Sequence, residues 1–392
     1  MKRIMILLII LSQHVASFGQ QKLTIEAHGA YNSTALPIQI PNAFLYGGFL
    51  DSSLLNATYL SLGPRLTFGL QMNAAAQYQS NKAFSKDSLK PLANWNWQFG
   101  ANVTNFTGLQ LSKDAFGLAF LGGSPFIGDT LDFSATRLQS CTFSSYGIGL
   151  YQAQTHTAFQ LNLVAMHQCA DLQVGSSSWY QDFVSDSIYF NSKAQAYFSN
   201  QPLTGVGLSL DLDYRFSSET DNEPLEFQLK IQNLGMSYQY QALTRYQLNG
   251  TYNYGAYDLA GLQQFNFSEQ IAAAKEQLGF SKDAIRNWYL LPATIRLSKL
   301  INEDTLVKFQ AYYGAQFMLR KTYTPCFFAG IHWSASKIWQ TGVGVVYGGF
   351  GGLRAQAYST FAFDKVKVSF RSDNVAFQKG GSIYMQLQCD LH

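Results

Sequence analysis

Charged residues in two neighbouring segments are the first candidates for chemistry. Val206, Leu208, Leu210, Leu212, Tyr214 and Phe216 alternate with Gly207, Ser209, Asp211, Asp213 and Arg215, and a second alternating run, Leu225–Gln232, follows Ser217–Pro224. If Phe216 faces Leu225, then Arg215 opposes Glu226 and Asp211 opposes Lys230, so opposite charges meet across two strands on the polar face. Such pairs either brace a wall whose sequestered polar groups need partners or select among charged solutes. The need for partners holds whatever the function, so bracing is the favoured reading.

The remaining reactive side chains show no working arrangement. His28, His156, His167 and His332 stand far apart, with no HExxH spacing, and each reads as a strand or turn histidine. Cys141, Cys169, Cys326 and Cys389 have neither metal-ligand spacing nor a CxxC pair and read as structural or free thiols. There is no GxSxG elbow, no Walker loop and no GxGxxG opening a helix after a strand. Gly147-Ile148-Gly149 and Gly342-Val343-Gly344 lie inside strand patterns, where glycine relieves crowding or makes a bend. A Ser/His/Asp set assembled across strands leaves no linear signature. The residues assign no catalytic, cofactor or metal site, and the expected role is non-enzymatic.

Composition narrows the setting of these residues. Charged residues are 13% of the 392, about half the usual soluble value of roughly 25%, while Phe, Tyr and Trp number 30, 23 and 6. A disordered tail and a small disulfide scaffold are excluded. The net charge of +3 arises from 27 basic and 24 acidic residues without a Lys/Arg cluster, which leaves no footprint for nucleic acid. At the start, Lys2 and Arg3 precede the apolar run Ile4–Leu11 and the small-residue sequence Ser17-Phe18-Gly19. This pattern predicts a secretory signal peptide over residues 1–19, cut before Gln20, and a single mature domain over 20–392. No Cys follows the cut to carry a lipid anchor. No later run is long and apolar enough for a spanning helix, so membrane insertion after export must use strands.

Period-two alternation in segments of about ten residues recurs along most of the chain, as expected of strands with one face in lipid. Ile383, Met385, Leu387, Cys389 and Leu391 share one face of the last segment, with Tyr384, Gln386, Gln388, Asp390 and His392 on the other. The polar faces are mostly Gly, Ser, Asn, Gln and Tyr rather than Lys-rich, which suits a crowded wet lumen better than the outside of a soluble sandwich. Further strands are predicted at Arg65–Tyr78, Ala93–Thr104, Phe116–Leu121, Ser145–Gln152, Thr157–Gln168, Ala293–Leu300, Leu306–Ala315, Phe327–Ala335, Trp339–Tyr347, Gly352–Phe363 and Val366–Arg371. The fold class is therefore an all-β, antiparallel transmembrane β-barrel of about 14 strands.

If the last strand descends to the periplasm, Asp364-Lys365, Ser336-Lys337-Ile338 and Ile301–Asp304 are inner turns, while Met318–Pro325 and Ser372–Gly381 lie outside. Gly348–Gly351 is the exception, a short outer loop. Trp333 and Trp339 then flank one inner turn on the lipid face, where an aromatic girdle belongs. About 60 residues separate Leu225–Gln232 from Ala293–Leu300 and are expected to lie mainly on the outer side or to fold back into the mouth, a length that is usually functional. Within them Asn266 to Gly279 carries a cap candidate, Ile271, Ala274 and Leu278 at helical spacing, and a glycine stop, which predicts a short amphipathic helix. The helix is either a lid or a piece packed on the rim.

The chain resembles a Bacteroidota family of outer-membrane barrel proteins, a domain of unknown function, and its layout is similar to FadL-type transporters and PorV. The resemblance spans most of the mature chain. It is carried by Leu36-Pro37-Ile38-Gln39-Ile40-Pro41 with Gly47-Gly48-Phe49, by Gly122-Gly123-Ser124-Pro125 before Ser145–Gly149, by Gln232-Asn233-Leu234-Gly235, by Leu291-Pro292-Ala293 and by Ser372-Asp373-Asn374-Val375. The N-terminal region departs from the pattern in lacking a clear Asn-Pro-Ala motif, which argues against a FadL-type hatch. What the resemblance implies is residence in the cell outer membrane, and it carries over no functional residue. Two functions follow as expectations. One is passage of a small apolar or amphipathic solute through a lumen of aromatic and amide groups. The other is a structural or accessory subunit of an outer-membrane complex, in protein export or barrel assembly, with a plugged lumen. The expected partners are outer-membrane lipid and, in the second case, other outer-membrane or periplasmic proteins.

Overall fold

A computed structural model describes residues 21–84, 94–184, 187–199, 201–218, 225–255, 267–301, 308–376 and 378–391. The expected signal peptide, and residues 302–304 of one expected inner turn, lie outside the described residues. The first part of the chain forms β1 (Gln21–Ser33), α1 (Gln39–Tyr46), α2 (Ser52–Ser61), β2 (Arg65–Ala83), β3 (Trp95–Ser112), α3 (Lys113–Leu121), β4 (Thr130–Asp132), β5 (Arg137–Gln152), β6 (Thr157–Gln181), β7 (Ile188–Phe198) and β8 (Gly205–Ser218). The middle forms β9 (Leu225–Gln239), β10 (Leu243–Tyr254), α4 (Phe267–Gln277), β11 (Ser281–Ile285), β12 (Trp288–Leu290) and β13 (Thr294–Lys299). The last part forms β14 (Phe309–Met318), β15 (Thr324–Ser334), β16 (Trp339–Gly349), β17 (Gly351–Phe363), β18 (Val366–Ser372) and β19 (Gly380–Leu391).

Antiparallel pairing closes a ring of 14 of these strands: β1, β2, β3, β5, β6, β8, β9 and β13 through β19 in order, with β19 returning to β1. Closure removes every edge, which is the condition for burying strands in hydrocarbon. The closing strand β1 lies between Gln21↔Leu391 and Lys22↔Gln79. Its outward Leu23, Ile25, Ala27 and Gly29 taper to small residues, so its alternation is faint in the sequence. Conversely, the strand predicted at Phe116–Leu121 is helix α3. Its N-cap is Ser112, whose Oγ accepts from Ala115 N at 3.1 Å; Asp114 sits in the first turn, and Gly122 ends it at φ +78°. A short apolar run does not by itself distinguish strand from helix, and the cap decides. The expected count of about 14 is met with one strand lost and one gained.

The outward faces carry Val343, Val345 and Tyr347 on β16, Ile383, Met385 and Leu387 on β19, and Leu161 and Leu163 on β6, all exposed. Each such side chain is worth about 1.5–3 kcal/mol once removed from water, so a belt of them is stable only when lipid covers it. No helix among the described residues is long and apolar enough to cross a membrane. At one end of the belt, aromatic rings form a row: Phe309 stacks on Trp333 with centroids 6.3 Å apart, Trp333 meets Trp339 at 5.9 Å, and Trp339 stacks on Phe361 at 6.4 Å. Farther round, Phe216 and Phe227 stack at 5.7 Å. This is the girdle expected of residues 333 and 339.

The girdle end is the end of short turns, with Ala153–His156 joining β5 to β6 and Asp364-Lys365 joining β17 to β18. The opposite end carries the long loops. There β6, 25 residues long, leaves β8 after Met166 and continues upward paired with β7 over Ala170–Gln181. β7 pairs with β10, and β10 with β11, so a sheet projects beyond the barrel rim. The predicted helix at Asn266–Gly279 is α4, stopped at Gly279 with φ +56°. The chain leaving it is bonded to β10 through Asn249 N and Leu278 O at 2.8 Å. The helix packs beside β10 at the loop end.

Candidate functional site

The β8–β9 register decides where the predicted charge pairs stand. Phe216 faces Phe227 rather than Leu225, a slip of two residues, so Arg215 opposes Gln228, Asp213 opposes Lys230 and Glu226 opposes Ser217. The expected pairs Arg215–Glu226 and Asp211–Lys230 are therefore not cross-strand neighbours. A slip of two keeps every side chain on its face, which is why Asp211, Arg215 and Lys230 still line the lumen. Farther along, a one-residue bulge shifts the register again, between Leu210↔Leu234 and Leu212↔Ile231, with Asn233 at φ +57°. The bulge aims Asn233 N at Asp211 Oδ1, 2.6 Å away, and Asn162 Nδ2 donates to Asp211 Oδ2 at 2.8 Å. Asp213 accepts from Gln228 Nε2 at 2.7 and 2.9 Å. Amides, not cations, occupy both carboxylates.

Asp211 ends a ladder of side-chain amides that runs round the wall. Gln79 donates to Gln98 at 3.2 Å, Gln98 to Gln160 at 3.0 Å, and Gln160 to Asn162 at 2.6 Å. Glycines opposite give the ladder room: a Cβ on Gly147 would lie 2.0 Å from Asn162 Oδ1 and 2.2 Å from Gln160 Nε2. Across the barrel, Gly342 accommodates the Tyr358 ring, which a Cβ would approach to 2.4 Å. The two glycine motifs thus relieve crowding, as expected. The ladder itself escaped the sequence reading; its signal was Gln and Asn recurring on polar faces opposite glycine.

Two contiguous cavities occupy the lumen. The lower, about 430 Å³, faces the amide ladder and reaches Lys22, Tyr151 and His156 at the turn end. The upper, about 530 Å³, is lined by Glu26, His28, Arg296, Arg354, Arg371 and Asp373 among others. The two share Glu26, Asn73, Lys230, Gln232 and Tyr384 among their linings, so they adjoin at mid-barrel. In the upper part, Arg371 Nε donates to Asp373 Oδ1 at 2.7 Å, and Gln386 donates to Glu26 at 3.0 Å. The Arg296 guanidinium lies 4.4 Å from the centre of the Phe328 ring, a cation–π contact.

Above this polar space lies a dry layer. Phe106, Phe143, Met166, Leu291, Met318 and Phe350 form one buried cluster at the loop end. Phe350 is the single residue between β16 and β17, turned inward by Gly348 and Gly349 at φ +94° and +72°. Its ring meets Tyr323 at 5.0 Å and Phe106 at 5.9 Å and covers Gly69, where a Cβ would come within 2.0 Å. The unusual short outer loop is therefore the keystone of the layer. A second cluster, including Leu36, Ile40, Leu55, Leu66 and Phe116, packs α1, α2 and α3 together beside it. Asp51 caps α2 by accepting from Ser53, and those bonds hold its carboxyl below the usual range.

The four histidines stay separate. His332 is buried between Tyr358 Oη at 2.6 Å and Ser334 Oγ at 3.0 Å, and His156 lies in a turn against Tyr151 Oη at 3.0 Å. His28 sits edge-on to Tyr384 with centroids 6.1 Å apart. His167 meets Ser144 at 2.8 Å, with no carboxylate bonded to the imidazole among the described residues, so the orienting third member of a triad is not supplied. Cys141 and Cys169 oppose one another across β5 and β6, and all four cysteines are free thiols. No group of metal-ligating side chains occurs among the described residues.

No family model matches the chain, and no curated protein does. Among solved structures it is similar to a Pseudomonas aeruginosa FadL homologue, at 10% identity and a TM-score of 0.40, covering 95% of this chain and 90% of that one. It is also similar to the P. putida toluene transporter TodX, at 10% identity and a TM-score of 0.31, covering 96% and 89%. A third is the translocator domain of the autotransporter NalP from Neisseria meningitidis, at 9% identity and a TM-score of 0.26, covering 98% and 92%. These likenesses are too distant to carry an argument about function, and the barrel stands on its own strand register.

Proposed function

We propose that the protein is an outer-membrane channel for a small amphipathic solute, with its turn end toward the periplasm and its long loops outside. The observation that carries this reading is the state of the lumen. It holds two adjoining cavities of about 530 and 430 Å³ rather than a filled core, with a cluster of buried apolar side chains at the loop end. A solute entering from the loop side meets apolar surface first and then hydrogen-bonding and charged groups. That sequence favours a molecule with a greasy part and a polar part. The layer hangs on one-residue and few-residue loops, so displacing Phe350 and its neighbours opens the way without breaking the barrel. No step requires a catalytic residue or a cofactor.

The test is a swelling assay on proteoliposomes holding the refolded chain, with octanoate, octylamine and sugars of similar size as solutes. Faster entry of the amphiphiles than of the sugars, accelerated further in Phe350→Ala, is the expected result. Equal impermeability of the wild-type and Phe350→Ala vesicles to every solute refutes the channel.

A specific observation favours a second reading, an accessory subunit of an outer-membrane complex. The sheet projecting beyond the rim and the adjoining β12 leave Phe183, Val184, Trp288 and Leu290 exposed outside the belt. Purification of the native protein in mild detergent with its neighbours distinguishes the two: a stoichiometric partner lost on substituting Trp288 and Phe183 supports the subunit.

A further inference from the structure

We infer that the mid-lumen holds a binding site for an oxyanion, the carboxylate or phosphate end of the solute, built on Arg296 and Lys230. The inference rests on the channel reading for its ligand class, and on register and hydrogen bonding for its position. Arg296 on β13 lies directly opposite Lys230 on β9, on the lumen face, and both line the same cavity. Two cations facing one another across adjacent strands, with Cβ atoms about 5 Å apart, repel. The low-dielectric wall makes that repulsion more costly than in water.

The acids nearby take their hydrogen bonds from other partners. Asp373 is bonded to Arg371, Glu26 accepts from Gln386, Asp213 takes both bonds from Gln228, and Asp211 is filled by Asn162 and Asn233. No hydrogen bond or ion pair joins Lys230 or Arg296 to another described residue. Instead the Arg296 guanidinium lies 4.4 Å from the centre of the Phe328 ring. A second observation points the same way. Arg354, on the same cavity, gives its Nη1 to the carbonyls of Gly348 and Gly352 at 2.8 and 3.0 Å, yet its buried Nε has no partner. Buried donors are rarely left unmet. An oxyanion between Arg296 and Lys230 converts their repulsion into two charge-assisted contacts, for which the planar guanidinium fork is shaped. Arg354 at the base of the Phe350 turn then ties the charged cluster to the apolar layer, so an attached aliphatic tail extends toward Phe328 and the loop end.

The experiment is calorimetric titration of the full refolded chain in a neutral maltoside with octanoate, octanol, acetate and inorganic phosphate. Octanoate is expected to bind one site per chain, and Arg296→Gln and Lys230→Gln each to weaken it about tenfold or more, the loss of one charge-assisted bond. Arg296→Glu should abolish binding while raising the unfolding midpoint above that of Arg296→Gln, because it replaces repulsion with a pair. A merely structural arginine would lower both. Gel mobility of unheated samples verifies that each variant is folded. Preference for octanoate over acetate and phosphate assigns the site to the head of an amphiphile; equal binding of all three assigns it to a free oxyanion. Octanol binding as well as octanoate, or octanoate affinity unchanged in Arg296→Gln, overturns the site. Binding without vesicle entry removes the channel and keeps the site, whereas entry of octanoate and octanol alike with no saturable binding does the reverse.

Discussion

Replacing Val345 with arginine tests the membrane face directly. Val345 is half exposed on the outer face of β16, six residues beyond Trp339 in the girdle. At about 3.3 Å per residue the separation along the strand is about 20 Å. A strand tilt of about 40° reduces it to about 15 Å along the barrel axis, close to the middle of an apolar band about 25 Å tall. An arginine there costs about 2–4 kcal/mol, roughly a 30- to 1,000-fold shift in the folding equilibrium, against about 0–1 kcal/mol near an interface. Ile338→Arg, at the exposed turn beside the girdle, is the matched control. Urea titrations of both variants in short-chain phosphatidylcholine vesicles, followed by tryptophan emission, give the two costs. If Val345→Arg costs no more than Ile338→Arg, lipid does not cover that face and the transmembrane reading falls.

Other consequences are open to equally direct measurement. Phe350→Ala should lose about 3–5 kcal/mol of stability, the usual cost of removing a buried ring, yet raise the conductance of planar bilayers; a stable variant with unchanged conductance would show that the ring is not a keystone. Gly147→Val places carbon where Asn162 and Gln160 stand, and denaturation should find it destabilised by about 1–3 kcal/mol. His156, in the turn between β5 and β6, has its pKa lowered from 6.5, chiefly by burial and then by Arg215. Its contribution is whole above about pH 6.5 and is lost as pH falls toward the depressed folded value, because the unfolded state binds the proton first. His156→Gln should remove that part of the slope of stability against pH, and imidazole shifts in NMR should titrate below the ordinary range.

Much of the barrel was legible because the period of a strand is local. Ile383, Met385 and Leu387 declare their face without knowledge of any neighbour, and Asp364-Lys365 declares a turn. Where side chains are small, as at Ala27 and Gly29, the same period fades, and β1 went unseen. Where a run is short and wholly apolar, as at Phe116–Leu121, period cannot separate strand from helix, and the Ser112 cap carried the information instead. The lumen was less legible. Parity places Asp211, Arg215 and Lys230 inside, but it is blind to a slip of two, and the bulge at Asn233 sets which residues meet.

What the sequence determined alone is therefore everything that depends on alternation and composition: a lipid-facing belt, a polar interior, the side of the long loops and a helix ending at Gly279. What the tertiary structure decided is everything that depends on which strand lies next to which. Only closure of the ring places Arg296 opposite Lys230, Phe350 over Gly69 and the amides of Gln98, Gln160 and Asn162 in one ladder. Facing is fixed by the stereochemistry of a single strand, whereas contact is fixed by register, which bulges and turns set across distances in the chain that no local pattern records.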